Sequence, residues 1–301
     1  MDRFLHLIVN KQSRKSESTF KKLLIELPKH TQNYKIYVTE TTDKLDDVVK
    51  DLKISIKKSD LVIVIGGDGS LNHLVSLFEK YHLSNYIGYI PSGSGNDFAR
   101  SHNMPLNTEK AIAHIFNLKA PKEVSILKAT QGDMAHYAVN SIGIGIDGNI
   151  IHKTNESQRK KFLGGTSYLS HVVSAFIKQE KFPITIKVDD GIYSFDNVQF
   201  ALIANNPYFG GGIKIIPVAD GTDDIFEILV ADDISPRHLL VILRKLLIHK
   251  NHLTHPNLHH FKTKEAALYA ETKQYAQKDG ESFEQDGFAY TITTLKRKFW
   301  I

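Results

Sequence analysis

The first 120 residues alternate between short apolar runs and segments in which apolar residues recur at helical spacing. The runs RFLHLIV, YKIYV, LVIVI and YIGYI each end in turn residues and predict buried strands. The segments between them place leucine, valine and phenylalanine at i, i+3, i+4 and i+7, which predicts amphipathic helices. Strands that alternate with helices over short connections indicate a parallel sheet covered by helices on both faces.

After Val124 the pattern changes to strand, tight turn and strand. Asp190-Gly191 stands between two runs of alternating apolar residues and predicts a hairpin turn. One helix is predicted near residues 162–180. Another is predicted after Ser235-Pro236, where serine is a favoured cap and proline a favoured first helical residue. The second half is therefore expected to be mainly antiparallel β-structure.

We accordingly predict two domains. Residues 1–122 form an N-terminal three-layer α/β domain with a parallel sheet, and residues 123–301 form a mainly β domain. The last strand of the second domain is a candidate to return to the first. A chain of 301 residues is long enough for two such domains, each with its own hydrophobic core.

The composition is ordinary for a soluble globular protein, with 42% hydrophobic and 24% charged residues. The chain has no cysteine, which excludes disulfides, thiolate metal sites and cysteine nucleophiles and is consistent with a cytoplasmic location. The N-terminal MDRFLHLIVN predicts a first strand rather than a signal peptide. The most apolar helical segment, LLVILRKLLI, contains Arg244 and Lys245, so no membrane-spanning helix is expected.

The net charge of +5 and the isoelectric point near 9.0 have two interpretations. The simpler one is good solubility, and the other is attraction to an anionic partner such as a nucleotide or an acidic membrane surface. No nucleic-acid-binding motif is present and the lysines are dispersed, so a nucleic-acid partner is not expected. The histidine-rich segment HKNHLTHPNLHH matches no defined metal-binding spacing and is expected to be a solvated loop or strand edge.

Two glycine-rich turns follow two predicted strands of the first domain. The first glycine loop, GGDGS (66–70), follows LVIVI, and the second glycine loop, PSGSGND (91–97), follows YIGYI. Ligands of open α/β sheets bind at the carboxyl ends of the strands, so both loops are expected to face one crevice. Glycines let the backbone approach a ligand, and a following helix N-terminus offers peptide N–H groups to phosphate. Either loop alone could be a structural turn, but the pair favours a phosphate site.

The glycine loops match neither of two common nucleotide-binding patterns. No Lys-Ser/Thr pair follows the glycines, and no G-x-G-x-x-G pattern with an acidic residue on the next strand is present, which disfavours a P-loop NTPase and a Rossmann dehydrogenase. Asp68 and Asp97 stand among the glycines, where a carboxylate would repel phosphate unless a cation or a donor hydroxyl lay between them. Phosphoryl-transfer sites supply such a cation, because Mg²⁺ bridges carboxylates and phosphate oxygens.

VIGGDGSLNHL and IGYIPSGSGNDFAR resemble the catalytic domain of the diacylglycerol kinase family, which is shared with sphingosine kinases and soluble bacterial lipid kinases. Serine replaces the family's threonine in both loops, which keeps the hydroxyl. The segments VNSIGIGIDGNI, PVADGTDDIFEILV and QKDGESF resemble later family motifs and occur in the family's order. The resemblance implies an N-terminal α/β domain and a C-terminal antiparallel β-sandwich, an NAD-kinase-like fold, with the active site between them.

The resemblance also implies roles for individual residues. Asp68 would approach the Mg²⁺–phosphate, Asp97 would support the catalytic network, and Glu281 in D-G-E would be the general base for the lipid hydroxyl. Asp223 corresponds to an aspartate linked to a second, structural Mg²⁺, although Asp224 and Glu227 depart from the pattern around it. The implied ATP-binding residues are Asn10, Thr39, Gly66, Gly67, Gly69, Ser70, Ser94, Asn96 and Arg100.

Three of these expectations carry alternatives. Glu281 could be a solvent-facing hairpin residue, and Arg100 could cap a helix rather than offset phosphate charge. The family's Asn-Pro-x-Ser/Ala-Gly turn is absent, since residues 10–14 read NKQSR. The basic residues of this turn could contact phosphate, or the altered turn could weaken nucleotide binding.

The leading hypothesis is an ATP- and Mg²⁺-dependent lipid kinase that phosphorylates a lipid hydroxyl. Diacylglycerol, which would give phosphatidic acid, is the first candidate substrate, reached by peripheral association with an anionic membrane surface. The alternatives are an NAD kinase, which would normally carry an N-E motif downstream, and a catalytically degenerate protein that binds nucleotide or lipid. The sequence leaves homodimerisation open.

Overall fold

The computed structural model describes residues 3–12, 15–145, 176 and 179–301. Most of the helix predicted near residues 162–180 lies outside this part of the chain. None of the helices within the described residues is both long and apolar enough to cross a membrane.

The N-terminal domain is built on parallel strands in the order β2-β1-β3-β4. The strands are β1 (Leu5–Asn10), β2 (Tyr34–Thr39), β3 (Leu61–Gly66) and β4 (Tyr86–Pro91). The helices are α1 (Ser16–Glu26), α2 (Thr42–Ser55), α3 (Asp68–Lys80), α4 (Asp97–Ser101) and α5 (Thr108–Asn117). The predicted parallel sheet with helices on both faces is confirmed.

The central strand β3 shows why this sheet forms. Every residue of its sequence LVIVIG is buried, as expected for a strand covered on both faces. On one face Val62 and Val64 pack in a core with the apolar sides of α2 and α3. On the other face Ile63 and Ile65 pack in a core with α1 and α5. The carboxyl ends of β3 and β4 therefore lie side by side at one edge of a rigid sheet.

The C-terminal domain is mainly antiparallel. Its strands are β5 (Lys122–Gln131), β6 (Met134–Ala138), β7 (Ser141–Gly145), β8 (Phe182–Val188), β9 (Gly191–Ala204), β10 (Tyr208–Phe209), β11 (Ile213–Lys214), β12 (Phe226–Asp232), β13 (Leu258–Thr263), β14 (Ala266–Ala270), β15 (Gln274–Lys278), β16 (Glu281–Gln285) and β17 (Phe288–Trp300). β8 and β9 form the predicted hairpin, but its two turn residues are Asp189 and Asp190, one position earlier than predicted, because Gly191 already pairs with Val188. The predicted C-terminal antiparallel β-domain is confirmed.

The helix after Ser235 lies on the outside of this domain. Helix α6 (Pro236–Arg244) starts with the predicted proline, and Ser235 caps it by accepting a hydrogen bond from the backbone N–H of His238. The helix continues into a π-helical turn, Lys245–His249. Leu239 and Ile242 anchor α6 against the outer face of strands β9 and β12.

The final strand β17 joins the two halves. It pairs antiparallel with β14 and β5, and its last residues then pair in parallel with β4, Phe299 opposite Ile87 and Trp300 opposite Gly88. The indole N–H of Trp300 donates to the Ile115 carbonyl at 2.9 Å. The sheet is therefore continuous from one domain to the other.

Candidate active site

The first glycine loop forms where β3 ends and α3 begins. Gly66 is required by packing, because a Cβ there would lie 2.5 Å from the Cβ and Oγ of Ser70. Gly67 precedes α3 in an extended conformation and provides no side-chain cap. The peptide N–H groups of the first helical turn therefore lack a capping side chain, which suits an external anion.

Asn10, at the end of β1, fixes this loop from the side. Its amide N donates to Ser70 Oγ at 2.7 Å, and its amide O accepts from the backbone N–H of Gln12 at 2.8 Å. The turn after β1 is thus held by asparagine although it lacks the family's proline and glycine. Ser13 and Arg14 lie outside the described residues.

The two glycine loops touch through their backbones. The N–H of Ser92 donates to the Gly66 carbonyl at 2.7 Å, and a Cβ on Gly93 would lie 2.6 Å from the Cα of Gly67. A Cβ on Gly67 would lie 3.3 Å from the Cα of Gly93. The prediction that both loops face one crevice agrees with this contact, and glycine at both positions is what permits it.

Gly93→Ala is expected to separate the loops. Backbone atoms have to move, because the added methyl group would meet the Gly67 Cα rather than a flexible side chain. We expect the variant to lose about 1–3 kcal/mol of unfolding free energy and to bind nucleotide at least tenfold more weakly. Urea unfolding and ATP titration calorimetry measure the two effects. Gly67→Ala is the graded comparison and should be milder; equal nucleotide affinity in Gly93→Ala and the unmodified chain would contradict the expectation.

The second glycine loop is shaped by Asn96, which has a left-handed backbone with φ of 54°. Its side-chain O accepts from the Gly93 N–H at 3.0 Å and from the Tyr89 hydroxyl at 3.3 Å, while its amide N donates to the Gly93 carbonyl at 3.0 Å. Asn96 therefore holds the loop, and Ser94 is left exposed at its tip. Arg100 Nε donates to the Gly95 carbonyl at 3.1 Å and braces the loop from α4.

Asp68 links the two loops through hydrogen bonds to the start of α4. Its Oδ2 accepts from the Asp97 N–H at 3.1 Å, and its Oδ1 accepts from the Phe98 N–H at 2.9 Å. The Asn140 amide, from the C-terminal domain, donates to the same Oδ1 at 3.4 Å. Burial raises the pKa of Asp68, and these donors oppose that rise. The carboxylate of Asp68, which was predicted to face a metal ion, therefore accepts backbone hydrogen bonds at the start of α4, as an N-cap side chain does.

The two carboxylate oxygens of Asp97 differ in their hydrogen bonding. Its Oδ2 accepts from the Gly211 N–H at 2.9 Å, whereas its buried Oδ1 has no hydrogen-bond partner among the described residues. Burial and then the nearby Asp68 raise the pKa of Asp97 to about 6, while the N–H groups of Gly211 and Gly212 oppose the rise. An unpaired buried carboxylate oxygen is costly unless a ligand or ion satisfies it, so Asp97 is the better candidate to face a cation.

His102, at the end of α4, is a half-buried base next to this network. Its ring packs on Phe98 with a centroid separation of 4.5 Å, and burial lowers its pKa to about 3. The folded protein therefore keeps His102 neutral, whereas the unfolded chain binds a proton below pH 6.5.

The lowered pKa of His102 predicts that the unfolding free energy of the protein decreases in acid. Its contribution to stability is intact above pH 6.5 and is lost as the pH falls toward about 3, at up to about 1 kcal/mol per pH unit. Urea unfolding from pH 7 to pH 4 should show a smaller slope for His102→Gln than for the unmodified chain. His30→Gln, at an exposed histidine, should keep the original slope. Identical slopes in all three proteins would contradict the expectation.

Asp279 was not singled out from the sequence beyond its place in a turn. Its carboxylate accepts from the N–H groups of Val139, Asn140 and Ser141 at 2.6, 2.9 and 3.1 Å. Burial, with Asp68 adding to it, raises the pKa of Asp279 to about 8 despite these donors. Its left-handed backbone, φ of 47°, starts the turn that presents Glu281. The D-G-E motif signals the turn, but the partners of Asp279 are about 140 residues away in sequence.

Glu281 stands against the first glycine loop. A Cβ on Gly69 would lie 3.3 Å from Glu281 Oε1, so the glycine leaves room for the carboxylate. Burial raises the pKa of Glu281, and the charge of Lys278 opposes the rise. Among the described residues no hydrogen-bond donor is recorded for this carboxylate. Glu281 is therefore a half-buried carboxylate whose pKa is raised and which makes no structural hydrogen bond within the described part of the chain.

A cavity of about 430 Å³ opens beside Glu281 between α3 and strands β6 and β15. Asn72 and Ser76, one helical turn apart on α3, border it together with Tyr137 and Lys278. Asn72 is fully buried, and within the part of the chain that the structure describes neither its amide N nor its amide O has a hydrogen-bond partner. Asn72 was not predicted as a site residue, since a single polar residue in an apolar helix pattern has many uses. Its side-chain amide therefore supplies a hydrogen-bond donor and an acceptor to the cavity wall.

Thr39 and Asp223 lie in local structural arrangements. Thr39 is buried, and its hydroxyl donates to the Val9 carbonyl at 3.4 Å. Asp223 Oδ1 accepts from the Ile225 N–H at 3.0 Å in a local turn. Within the described residues no group of three or more histidines and carboxylates is arranged to hold a metal.

The two residues that depart from the family pattern around Asp223 have partners of other kinds. Glu227 pairs with His260 at 2.8 Å, and Asp224 pairs with Lys296 at 3.0 Å. A metal ion at Asp223 stays a prediction, since these two neighbouring carboxylates are paired with His260 and Lys296.

Comparison with known proteins divides the chain in two. Residues 4–129 match the family model of the diacylglycerol kinase catalytic domain, and residues 140–293 match that of the YegS C-terminal NAD kinase beta sandwich-like domain. The "Putative lipid kinase SERP0390" of Staphylococcus epidermidis is 31% identical over 60% of this chain and 58% of its own length. The "Putative lipid kinase YtlR" of Bacillus subtilis is 26% identical over 87% of each chain. The match thus spans little more than half of the first of these relatives.

A solved structure shares the fold over nearly the whole chain. The crystal structure of a "putative diacylglycerol kinase" from Bacillus anthracis str. Sterne superposes with a TM-score of 0.76 at 22% identity, covering 97% of this chain and 94% of that one. At this identity the likeness shows the shared fold alone.

Proposed function

The chain belongs to the family that joins a diacylglycerol kinase catalytic domain to a YegS-type C-terminal domain, and on that premise we propose that it is an ATP-dependent lipid kinase. One observation carries the proposal. Glu281, a half-buried carboxylate with a raised pKa, lies between the first glycine loop and a cavity of about 430 Å³. A general base is needed at this place, between a phosphate donor and an alcohol acceptor.

The glycine loops supply the donor side of the reaction. The uncapped first turn of α3 offers peptide N–H groups to phosphate oxygens, and Ser70 adds a hydroxyl. The tight contact of Gly67 with Gly93 keeps both loops at the same edge of the sheet. These features fit the phosphates of ATP, and the proposed binding residues are those of the two loops with Asn10 and Arg100 beside them.

Asp97 is the proposed carboxylate for Mg²⁺ bound together with the phosphates. Its unpaired, buried Oδ1 fits such an ion, which needs only one or two protein carboxylates when phosphate and water fill its other positions. The cation would neutralise phosphate charge during transfer. Asp68 serves the same site indirectly, because it holds the N–H groups at the start of α4 and so positions Asp97.

Glu281 serves the acceptor side. Its carboxylate takes the proton of an alcohol as the alcohol oxygen attacks the terminal phosphorus of ATP, the bond from that phosphorus to the bridging oxygen breaks, and ADP leaves. Asn72 and Lys278 border the space beside Glu281. Diacylglycerol, with one free hydroxyl between polar ester groups and apolar chains, is the proposed acceptor, and phosphatidic acid the product.

A transfer assay with labelled ATP and Mg²⁺ tests the proposal. Diacylglycerol, sphingosine, monoacylglycerol and NAD are offered separately, and products are resolved by thin-layer chromatography. We expect labelled phosphatidic acid from diacylglycerol. Label transferred to NAD alone would replace the proposal with an NAD kinase, and ATP binding without any product would replace it with a catalytically degenerate protein.

A further inference from the structure

Four large apolar side chains project from the outer surface of α6 and the turn that continues it. They are Leu240, Val241, Leu247 and Ile248, with exposed fractions of 64%, 47%, 49% and 67%. The inward residues of the same helix are buried, so the segment is firmly seated in the fold. Contiguous exposed apolar residues of this kind mark interaction surfaces more often than isolated ones do.

Positive charge lies on the same outer surface. Arg237 and Arg244 fall three to four residues from Leu240 and Val241, which places them on one helix face. Both arginines and Lys250 are exposed, and no carboxylate within the described residues lies at ion-pair distance from any of the three. We call Arg237, Leu240, Val241, Arg244, Leu247 and Ile248 the basic helix face.

The sequence around the face strengthens this charge pattern. Residues 235–264 contain six lysines and arginines, six histidines and no aspartate or glutamate. The whole chain has a net charge of +5, so this stretch alone accounts for the excess of positive charge. A second copy of the chain would have to bring like charge against like charge if the same face paired with itself.

We propose that the basic helix face docks on the surface of an anionic phospholipid bilayer. A helix with aliphatic side chains and arginines on one outer face lies in the interface plane, with the aliphatic groups among the acyl chains. Arginine stems can follow these groups inward while their guanidinium ends stay with lipid phosphates. Apolar insertion together with positive charge distinguishes this partner from a nucleic acid, which would use the charges alone.

The segment that follows the docked helix is connected to the active site through a chain of contacts. His252, just beyond the π-helical turn, donates from Nε2 to the Ile215 carbonyl at 2.6 Å. Ile215 follows the β10–β11 hairpin, and the Gly211 N–H in that hairpin binds Asp97. The functional meaning of docking rests on the proposed lipid kinase function, since it would place the second glycine loop near a membrane-resident acceptor.

Vesicle co-sedimentation without ATP tests docking separately from catalysis. Phosphatidylcholine vesicles are compared with vesicles that also contain phosphatidylglycerol, at low and high salt. We expect Leu240→Gln with Ile248→Gln to weaken binding to anionic vesicles about tenfold or more. Arg237→Gln with Arg244→Gln should weaken it about fivefold per residue at low salt, and less at high salt.

Matched controls lie on the opposite domain. Ile54→Gln removes an isolated aliphatic side chain that is 88% exposed on α2, and Lys57→Gln with Lys58→Gln removes two exposed cations. Both controls should bind vesicles like the unmodified chain. Equal vesicle binding by the face variants and these controls would overturn the proposal.

Two further measurements separate the possible failures. Analytical ultracentrifugation tests whether the face binds a second copy of the chain. A dimer that the face variants dissociate, with vesicle binding unchanged, would assign the face to a second copy and overturn docking. Phosphorylation of a short-chain diacylglycerol below its aggregation limit should be equal in the face variants and the unmodified chain. Normal vesicle docking without phosphorylation of any lipid would refute the kinase proposal and leave docking standing.

Discussion

Asp68→Ala is expected to lose at least about 100-fold in kcat/KM and about 2–4 kcal/mol of unfolding free energy. The loss has a structural cause, because the Asp97 and Phe98 N–H groups would be left buried without an acceptor. The start of α4 would loosen, and Asp97 would lose its fixed position opposite the first glycine loop. Urea unfolding and the lipid transfer assay measure the two effects on one preparation.

Asp68→Asn separates a structural role from a purely electrostatic one. The amide keeps one acceptor oxygen and removes a buried charge, so we expect an intermediate stability and a large loss of activity. If Asp68 acted only as a cation ligand, both variants would unfold like the unmodified chain. Asp47→Asn, at an exposed carboxylate, is the control. Asn140→Ala is a comparison, since it removes the 3.4 Å contact to Asp68 together with the hydrogen bond that Asn140 Oδ1 accepts from the Asn206 amide at 3.2 Å.

The parallel sheet could be predicted from sequence because its signals are local. Each strand of the first domain is a short apolar run, and each helix carries its own periodic pattern. The contact between the two glycine loops followed from the same logic, since one helix and one strand separate them and β3 and β4 are neighbours. Glycine at both 67 and 93 is then explained by the missing Cβ.

The task of Asp68 could not be predicted, because it depends on partners that the sequence does not pair. A carboxylate among glycines suggests a cation, and only the structure shows it accepting the N–H groups of Asp97 and Phe98. Asp279 illustrates the same limit more strongly. Its three backbone donors belong to another strand connection, so no local pattern could distinguish it from an ordinary turn aspartate.

Buried polar residues that lack hydrogen-bond partners also could not be predicted from the sequence. Asn72 occupies a helical position where asparagine is common. Its importance comes from complete burial beside the cavity with no hydrogen-bond partner among the described residues. The basic helix face was likewise read only as a segment too polar to cross a membrane. Only the structure shows that one side of this helix is buried against the sheet and the other is exposed.

Glu281→Gln is expected to lower kcat by about 10²–10⁴ while leaving the KM for ATP and the unfolding free energy little changed. The amide has the size of the carboxylate but cannot accept the proton of the acceptor alcohol. Stability should not fall, because among the described residues no hydrogen-bond donor is recorded for Glu281 and burial already disfavours its charged form. Steady-state kinetics and urea unfolding at pH 7 measure the three quantities.

Glu284→Gln is the matched control for this change, since Glu284 lies on the same strand and pairs with Lys273 at the surface. The pH profile adds an independent test. Because burial raises the pKa of Glu281, activity should begin to fall at a higher pH than for an exposed glutamate as the medium is acidified. The residual activity of Glu281→Gln should lack this limb. An unchanged kcat, or a drop that comes with a matching loss of stability, would remove Glu281 from the role of base and leave the alcohol proton to another acceptor.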